Sequence, residues 1–202
     1  FVSLSRTVLG TVGTVLASGY MGFMFTRKKM WKRKFWYRFV VITMYFNAGL
    51  IPWYITMMNL HLTNNFFAYI LPAIVQPFNI ILVKTYVESI PQELNEAAEI
   101  DGAGVLRQFW QIILPVSKPI LATVAIFSAV NQWNSFQDTL VLITDQKLYT
   151  LQYVLYQYIN QSSSLAALIK NGSMGGAAVQ SLTTMQTPTS VRMTVSVIVV
   201  LP

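Results

Sequence analysis

Residues 84–118 read KTYVESIPQELNEAAEIDGAGVLRQFWQIILPVSK. This segment decides the fold, because its composition differs from that of both flanks. Five of the seven acidic residues, Glu88, Glu93, Glu96, Glu99 and Asp101, fall within 14 positions. Ser89, Pro91 and Gln92 predict a helix start: a hydroxyl cap, a proline in the first turn and an amide at capping-box spacing. Glu93 and Glu96 then lie early in the helix, where its dipole favours negative charge. Gly102 and Gly104 predict its end, since glycine accepts a left-handed C-terminal conformation. A second short helix is expected from about Val105 to Ile113, with Pro115 breaking the backbone after it. The small Ala97 and Ala98 permit close approach by another surface, and the carboxylates suit a partner's Arg or Lys.

On either side the chain turns apolar. Of the 202 residues 54% are hydrophobic and only 10% charged, and mean hydropathy is +0.50. Soluble domains carry about 25% charged residues, so an ordinary soluble enzyme, a coiled coil and a disordered chain are excluded in favour of an all-α integral membrane protein. Spans are expected at about 8–25, 39–58, 66–83, 116–137 and 190–202, the last cut short. Phe39 to Val83 holds 45 residues without Lys, Arg, Asp or Glu, about twice what one bilayer crossing needs. Two spans must share it, with Asn59–Asn65 as the turn. Gly10, Gly13, Gly19 and Gly22 fit helix packing better than phosphate binding, and no Walker-type loop is present. No cysteine and a single histidine, His61, leave no material for a thiolate or His-cluster metal site.

Seven of the 14 basic residues, Arg27, Lys28, Lys29, Lys32, Arg33, Lys34 and Arg38, lie in 12 positions. A short loop this basic should be cytoplasmic, and its apolar flanks argue against nucleic acid. Counting onward places 1–7 and 59–65 outside, a cytoplasmic loop at 88–115, and an external loop at 144–188. The start at Phe1 and the apolar run ending at Pro202 suggest one transmembrane domain, 1–202, within a longer polypeptide.

Glu96-Ala97-Ala98, three residues, Gly102, nine residues, then Ile112, Leu114 and Pro115 resembles, without a gap, the EAA loop of ATP-binding-cassette (ABC) importer permeases. The opening SLSRTVLGT, the basic loop and ILPVSKPILATVAIFSAVNQWNSF are similar to the MalG-like carbohydrate branch of these binding-protein-dependent inner-membrane components. The resemblance implies the type I importer permease fold, with five of an expected six transmembrane helices in this segment. It implies a bacterial cell membrane location and a second permease subunit, usually a paralogue. Two ATPase subunits would hold ATP and Mg, and an extracellular solute-binding protein would deliver an oligosaccharide. No cofactor belongs to this chain, and hydrolysis falls to the partner. Carried over, Glu96 is the ionic contact to the ATPase, Ala97 and Ala98 the close-packing face, Gly102 the turn, and Leu114 and Pro115 the closing elements.

Polar residues inside spans are costly and often line a path. The candidates are Asn47, Gln76, Asn79, Asn131, Gln132, Trp133 and Asn134, amides plus an aromatic platform that suit the hydroxyls and C–H faces of a sugar. Asn47 and Asn79 equally suit interhelical hydrogen bonds, and Trp133 an interfacial anchor. No ionisable side chain is expected in any complete span, which weakens an ion-coupled mechanism. Leu148 to Ile169, with Tyr149, Tyr153, Tyr156 and Tyr158, reads as an interfacial helix, and Lys170–Gly176 as loop. A polyol or glycerol phosphate importer, or an assembly subunit without a pathway, remain alternatives. A membrane enzyme lacks the side chains.

Overall fold

The computed structural model describes residues 1–170 and Val197, with side chains described through Asn160. The expected last span, apart from Val197, and positions 171–188 of the external loop lie outside the described residues. Among the described residues there is no strand.

The chain is organised around one long helix, α1, Val2–Thr26. Its buried side is a stripe at every fourth position, Arg6, Gly10, Thr14, Ser18 and Gly22, small except for the first. The opposite side exposes Leu4, Val8, Val12 and Leu16 at the same spacing. Small residues let backbones close up. A methyl group on Gly22 would stand 2.8 Å from Val83 Cγ1, and one on Gly10 would stand 2.6 Å from Gln132 Nε2. These positions serve packing against α5, Pro77–Glu88, and α9, Lys118–Asn134. At the far end of α1, Phe23 joins Val83, Val87, Phe109, Ile113, Leu121 and Val124 in a buried cluster.

The expected span 39–58 is not one helix. It divides into α2, Arg33–Tyr45, and α3, Leu50–Asn59. Asn47 Oδ1 accepts the Gly49 N–H at 2.9 Å, and Gly49 adopts φ +83°, a conformation that favours glycine. The side-chain amide competes with helical bonding there. The expected span 66–83 is broken as well. A 3₁₀ turn at Phe66–Tyr69 and α4, Leu71–Ile74, meet α5 at a bend of 43°. Pro77 opens α5, where its missing N–H costs nothing. Among the described residues only α1 is by itself long and apolar enough to cross a membrane, or up to three spans exist if each bent pair counts as one.

In the acidic segment, Ser89 does not start a helix. Its Oγ donates to the Tyr86 carbonyl at 2.7 Å, and the residue closes α5. The next helix, α6, runs Glu93–Ile100 without a side-chain cap. Gly102, at φ +73°, supplies the left-handed turn. Gly104 does not: it is extended, and leads into α7, Val105–Gln108. A π stretch at Phe109–Ile113 and α8, Leu114–Val116, continue the helix through Pro115. Proline crowds the carbonyl four residues earlier, Gln111, which lies inside the widened π turn. The expected break therefore falls later, at Ser117, where the axis swings 82° into α9. Beyond α9 come α10, Gln137–Leu142, a 3₁₀ turn at Gln146–Leu148, and α11, Leu151–Lys170.

Candidate pathway cavity and coupling segment

Two places gather the functional candidates. The first is a cavity of about 810 Å³ between α1, α3, the α4–α5 bend, α9 and α10. Asn47, Gln76, Asn79, Asn131 and Gln132 all line it, brought together from the α2–α3 break, the start of α5 and α9. Trp53, Tyr69, Phe78 and Phe127 add aromatic surface. The helix breaks explain how these amides converge: Asn47 sits at the α2–α3 break and Gln76 at the α4–α5 bend. Trp133 and Asn134 are not among the lining residues. Asn134 is exposed, donates to the Val130 carbonyl at 2.9 Å and accepts from Gln152 Nε2 at 3.3 Å.

The cavity also holds an ion pair that contradicts the expectation of uncharged spans. α1 begins at Val2, so Arg6 lies inside the long apolar helix, with 2% exposure. Its guanidinium donates through Nε to Gln132 Oε1 at 2.8 Å, through Nη1 to the Ser135 carbonyl at 3.1 Å, and through Nη2 to Asp138. It also lies 4.7 Å over the ring of Tyr69. A buried cation needs such partners, because an uncompensated charge there would be expelled or neutralised. Tyr69 extends the network through its hydroxyl, donated to the Leu148 carbonyl at 2.8 Å and shared with Thr139, which pairs with Thr150. Gln132 Nε2, packed on Gly10, has no partner among the described residues. The pair thus ties the start of α1 to the α9–α10 corner, and the cavity wall presents a compensated charge rather than a free cation. Sequence reasoning placed Arg6 in an external tail. The clue was its nearness, two positions, to the uncharged run that begins at Val8.

The same end of the molecule is stitched by Asn64. At φ +53°, its Oδ1 accepts from Thr144 N at 2.6 Å and Asp145 N at 3.2 Å. Ser3 Oγ accepts the Leu151 N–H at 2.8 Å, which fixes the start of α11 beside α1. Tyr149 and Tyr153 meet edge to face, while Tyr156 stacks on Phe136. His61 is exposed in a left-handed turn.

The second place is the acidic segment that the resemblance marks as a candidate for coupling. Glu93, Glu96, Ala97 and Asp101 are exposed on α6 and its end. Exposed with them are Leu94, Ile100, Val105 and Leu106. Ala98 is buried within the chain, so of the two alanines only Ala97 stands on the outer surface. Leu114 is half-buried against the cluster of Phe23 and Phe109, and Pro115 is exposed. Glu99 takes a different part. It accepts from Arg27 Nη2 and Lys29 Nζ, each at 2.5 Å. The Lys29 hydrogen bond first, and the Arg27 charge with it, hold its carboxyl below the usual 4.5. Lys28 Nζ donates to Gln92 Oε1 at 3.3 Å. The basic loop therefore clamps the start and end of α6.

The profile of the family described as binding-protein-dependent transport system inner membrane component matches residues 12–201. The protein LplC of Bacillus subtilis is 38% identical over 77% of this chain and 53% of its own length. The polygalacturonan/rhamnogalacturonan transport system permease protein YtcP of the same organism is 34% identical over 81% and 57%. The arabinooligosaccharides transport system permease protein AraQ of Halalkalibacterium halodurans is 33% identical over 72% and 53%. The chain spans about half the length of these relatives. Its fold matches a chain in the crystal structure of a bacterial ABC transporter involved in the import of the acidic polysaccharide alginate. That likeness has a TM-score of 0.72 and 30% identity, and covers 84% of this chain and 63% of that one.

Proposed function

Because the chain belongs to the family of binding-protein-dependent transport system inner membrane components, we propose that it forms half of the pathway of an ATP-driven oligosaccharide importer in a bacterial cell membrane. A second permease, a paralogue, completes the pathway. Two ATPase subunits hold ATP and Mg, and an extracellular binding protein delivers the sugar.

The observation that carries this reading is the cavity: six side-chain amides, from the α2–α3 break, the start of α5, α9 and α10, converge with four aromatic rings in one space of about 810 Å³. Amides match the donor and acceptor pattern of hydroxyls, and rings match the apolar faces of a pyranose. The relatives named for arabinooligosaccharides and for polygalacturonan support the solute class. A relative named for sn-glycerol-3-phosphate, UgpE of Yersinia pestis, is 27% identical. The cavity suits that solute less, because Asp138 already neutralises Arg6.

In this mechanism the exposed face of α6 docks on the ATPase. Glu96 makes the ionic contact, Ala97 allows close approach, and Gly102 holds the turn. Closure of the ATPase pair then moves the spans as rigid bodies between inward-facing and outward-facing states. The test is uptake of labelled oligosaccharide into proteoliposomes carrying the full complex, its binding protein and internal ATP. Glu96→Lys and Gly102→Pro should each abolish uptake while the binding protein still docks. Undiminished uptake by both would overturn the coupling assignment.

A further inference from the structure

The basic loop does more than face one side of a membrane. Residues 28–38 surround a second cavity, of about 540 Å³, whose charged lining is wholly cationic: Lys28, Lys32, Arg33, Lys34 and Arg38. Two of these are engaged without loss of charge, Arg33 with the Thr26 carbonyl at 2.8 Å and Lys28 with Gln92. Lys32 lies over the Trp31 ring at 4.8 Å. The side chains of Lys34 and Arg38 form no hydrogen bond or ion pair among the described residues. The nearby carboxylate, Glu99, is taken by Arg27 and Lys29 outside the cavity. Five cations around one space repel one another unless an anion enters.

The surroundings say which anion. The cavity opens just past the end of α1, the helix long and apolar enough to cross a membrane. Trp31 and Trp36, 70% and 40% exposed, are interfacial residues. From the cavity runs α2, which has no buried residue and exposes Phe39 and Ile42. A polar anion with an apolar tail fits this pairing of a cationic mouth and a bare apolar helix. A free nucleotide or a peptide would leave the helix face uncovered.

We infer that this cavity binds the phosphate headgroup of an anionic glycerophospholipid, its acyl chains lying along α2. The site adjoins the Arg27–Lys29–Glu99 clamp, so the bound lipid would brace the coupling helix α6 as well as anchor the chain. The inference takes only the presence of a bilayer from the permease reading.

Purified complex in detergent is exposed to phosphatidylglycerol and washed, and retained lipid is counted by native mass spectrometry. Lys34→Gln with Arg38→Gln removes two lining charges and leaves the clamp and the remaining basic residues in place. Near a membrane surface each cation contributes about a fivefold factor, so retention should fall roughly twenty- to thirtyfold. The charge-conserving pair Lys34→Arg and Arg38→Lys should restore it. Phosphatidylcholine should not be retained, and millimolar inorganic phosphate should not displace the lipid. Equal retention by the glutamine variant, or displacement by inorganic phosphate, would overturn the lipid assignment. Failure of wild-type uptake with lipid retention intact would count against the importer reading alone.

Discussion

Arg6 shows how one side chain can organise an end of a membrane protein. Each of its three nitrogens donates a hydrogen bond, the guanidinium lies over the Tyr69 ring, and Asp138 balances the charge. Removing one partner of a buried pair leaves an unpaired charge, at a cost of about 3–5 kcal/mol, whereas replacing both by apolar groups is often nearly neutral. Asp138→Ala should therefore lower thermal stability more than the double change Arg6→Met with Asp138→Leu. Melting of the purified complex in detergent would decide this, and wild-type behaviour of Asp138→Ala would contradict it. A second residue-scale expectation concerns space. Gly22→Ala must push against Val83 Cγ1 at 2.8 Å and the Lys84 backbone nitrogen at 3.0 Å, whereas a methyl on Gly104 meets nothing within 4 Å. Overpacking costs about 1–3 kcal/mol, so Gly22→Ala should melt earlier and Gly104→Ala should not.

At the scale of elements, α6 is a helix of eight residues without a side-chain cap, too short to persist alone. Its clamp is electrostatic, and the sign of the Glu99 shift sets its pH window. A carboxyl held below its ordinary value contributes binding above that value and loses it as pH falls through the lowered one. Spin labels at Met30 and Leu94 should keep a constant distance from neutral pH down to the usual carboxylate value of 4.5 and separate only in more acid solution. Separation near neutrality would contradict the clamp. Glu99→Gln should loosen the segment at all pH values, whereas Glu93→Gln, exposed and unpaired with the basic loop, should not. Much of this element was legible in advance. Acidic clustering, the glycine at 102 and the proline at 115 all mark a helix, a turn and a second helix. Ser89 misled because a hydroxyl can close the helix before it as readily as start the one after. Pro115 misled because a π turn absorbs the crowding that a regular helix could not.

The whole molecule was less legible than its segments. Hydropathy located the apolar stretches and the turn at 59–65, yet it treats each stretch as one rod. Asn47, Gly49, Gln76 and Pro77 break two of those rods by local hydrogen bonding and missing donors, and window averages do not carry such terms. The breaks matter, because they bring Asn47 and Gln76 to the cavity beside Asn79, Asn131 and Gln132. Convergence of amides from distant positions is a property of packing, so sequence could nominate them one at a time but could not assemble them. Trp133 and Asn134 were nominated as part of one run with Asn131 and Gln132, but Asn134 ends α9 and turns its amide to the Val130 carbonyl and Gln152 instead. Exposed apolar surface on α2, α3 and α9 completes the picture of a chain whose outer sides await lipid or a partner.

The central claim is that the α6 segment is gripped by an ATPase on the inner face of the membrane, and the 202 residues contain no cysteine to confuse a direct test. Ala97→Cys, placed on the exposed side of α6, can be cross-linked within the assembled complex in intact membrane vesicles. The account predicts a single adduct with the ATPase subunit, its yield changing when ATP is added, and no reaction with an impermeant thiol reagent supplied from the outer side. Ready labelling from outside, or an Ala97→Cys side chain that meets no subunit in any nucleotide state, would contradict it.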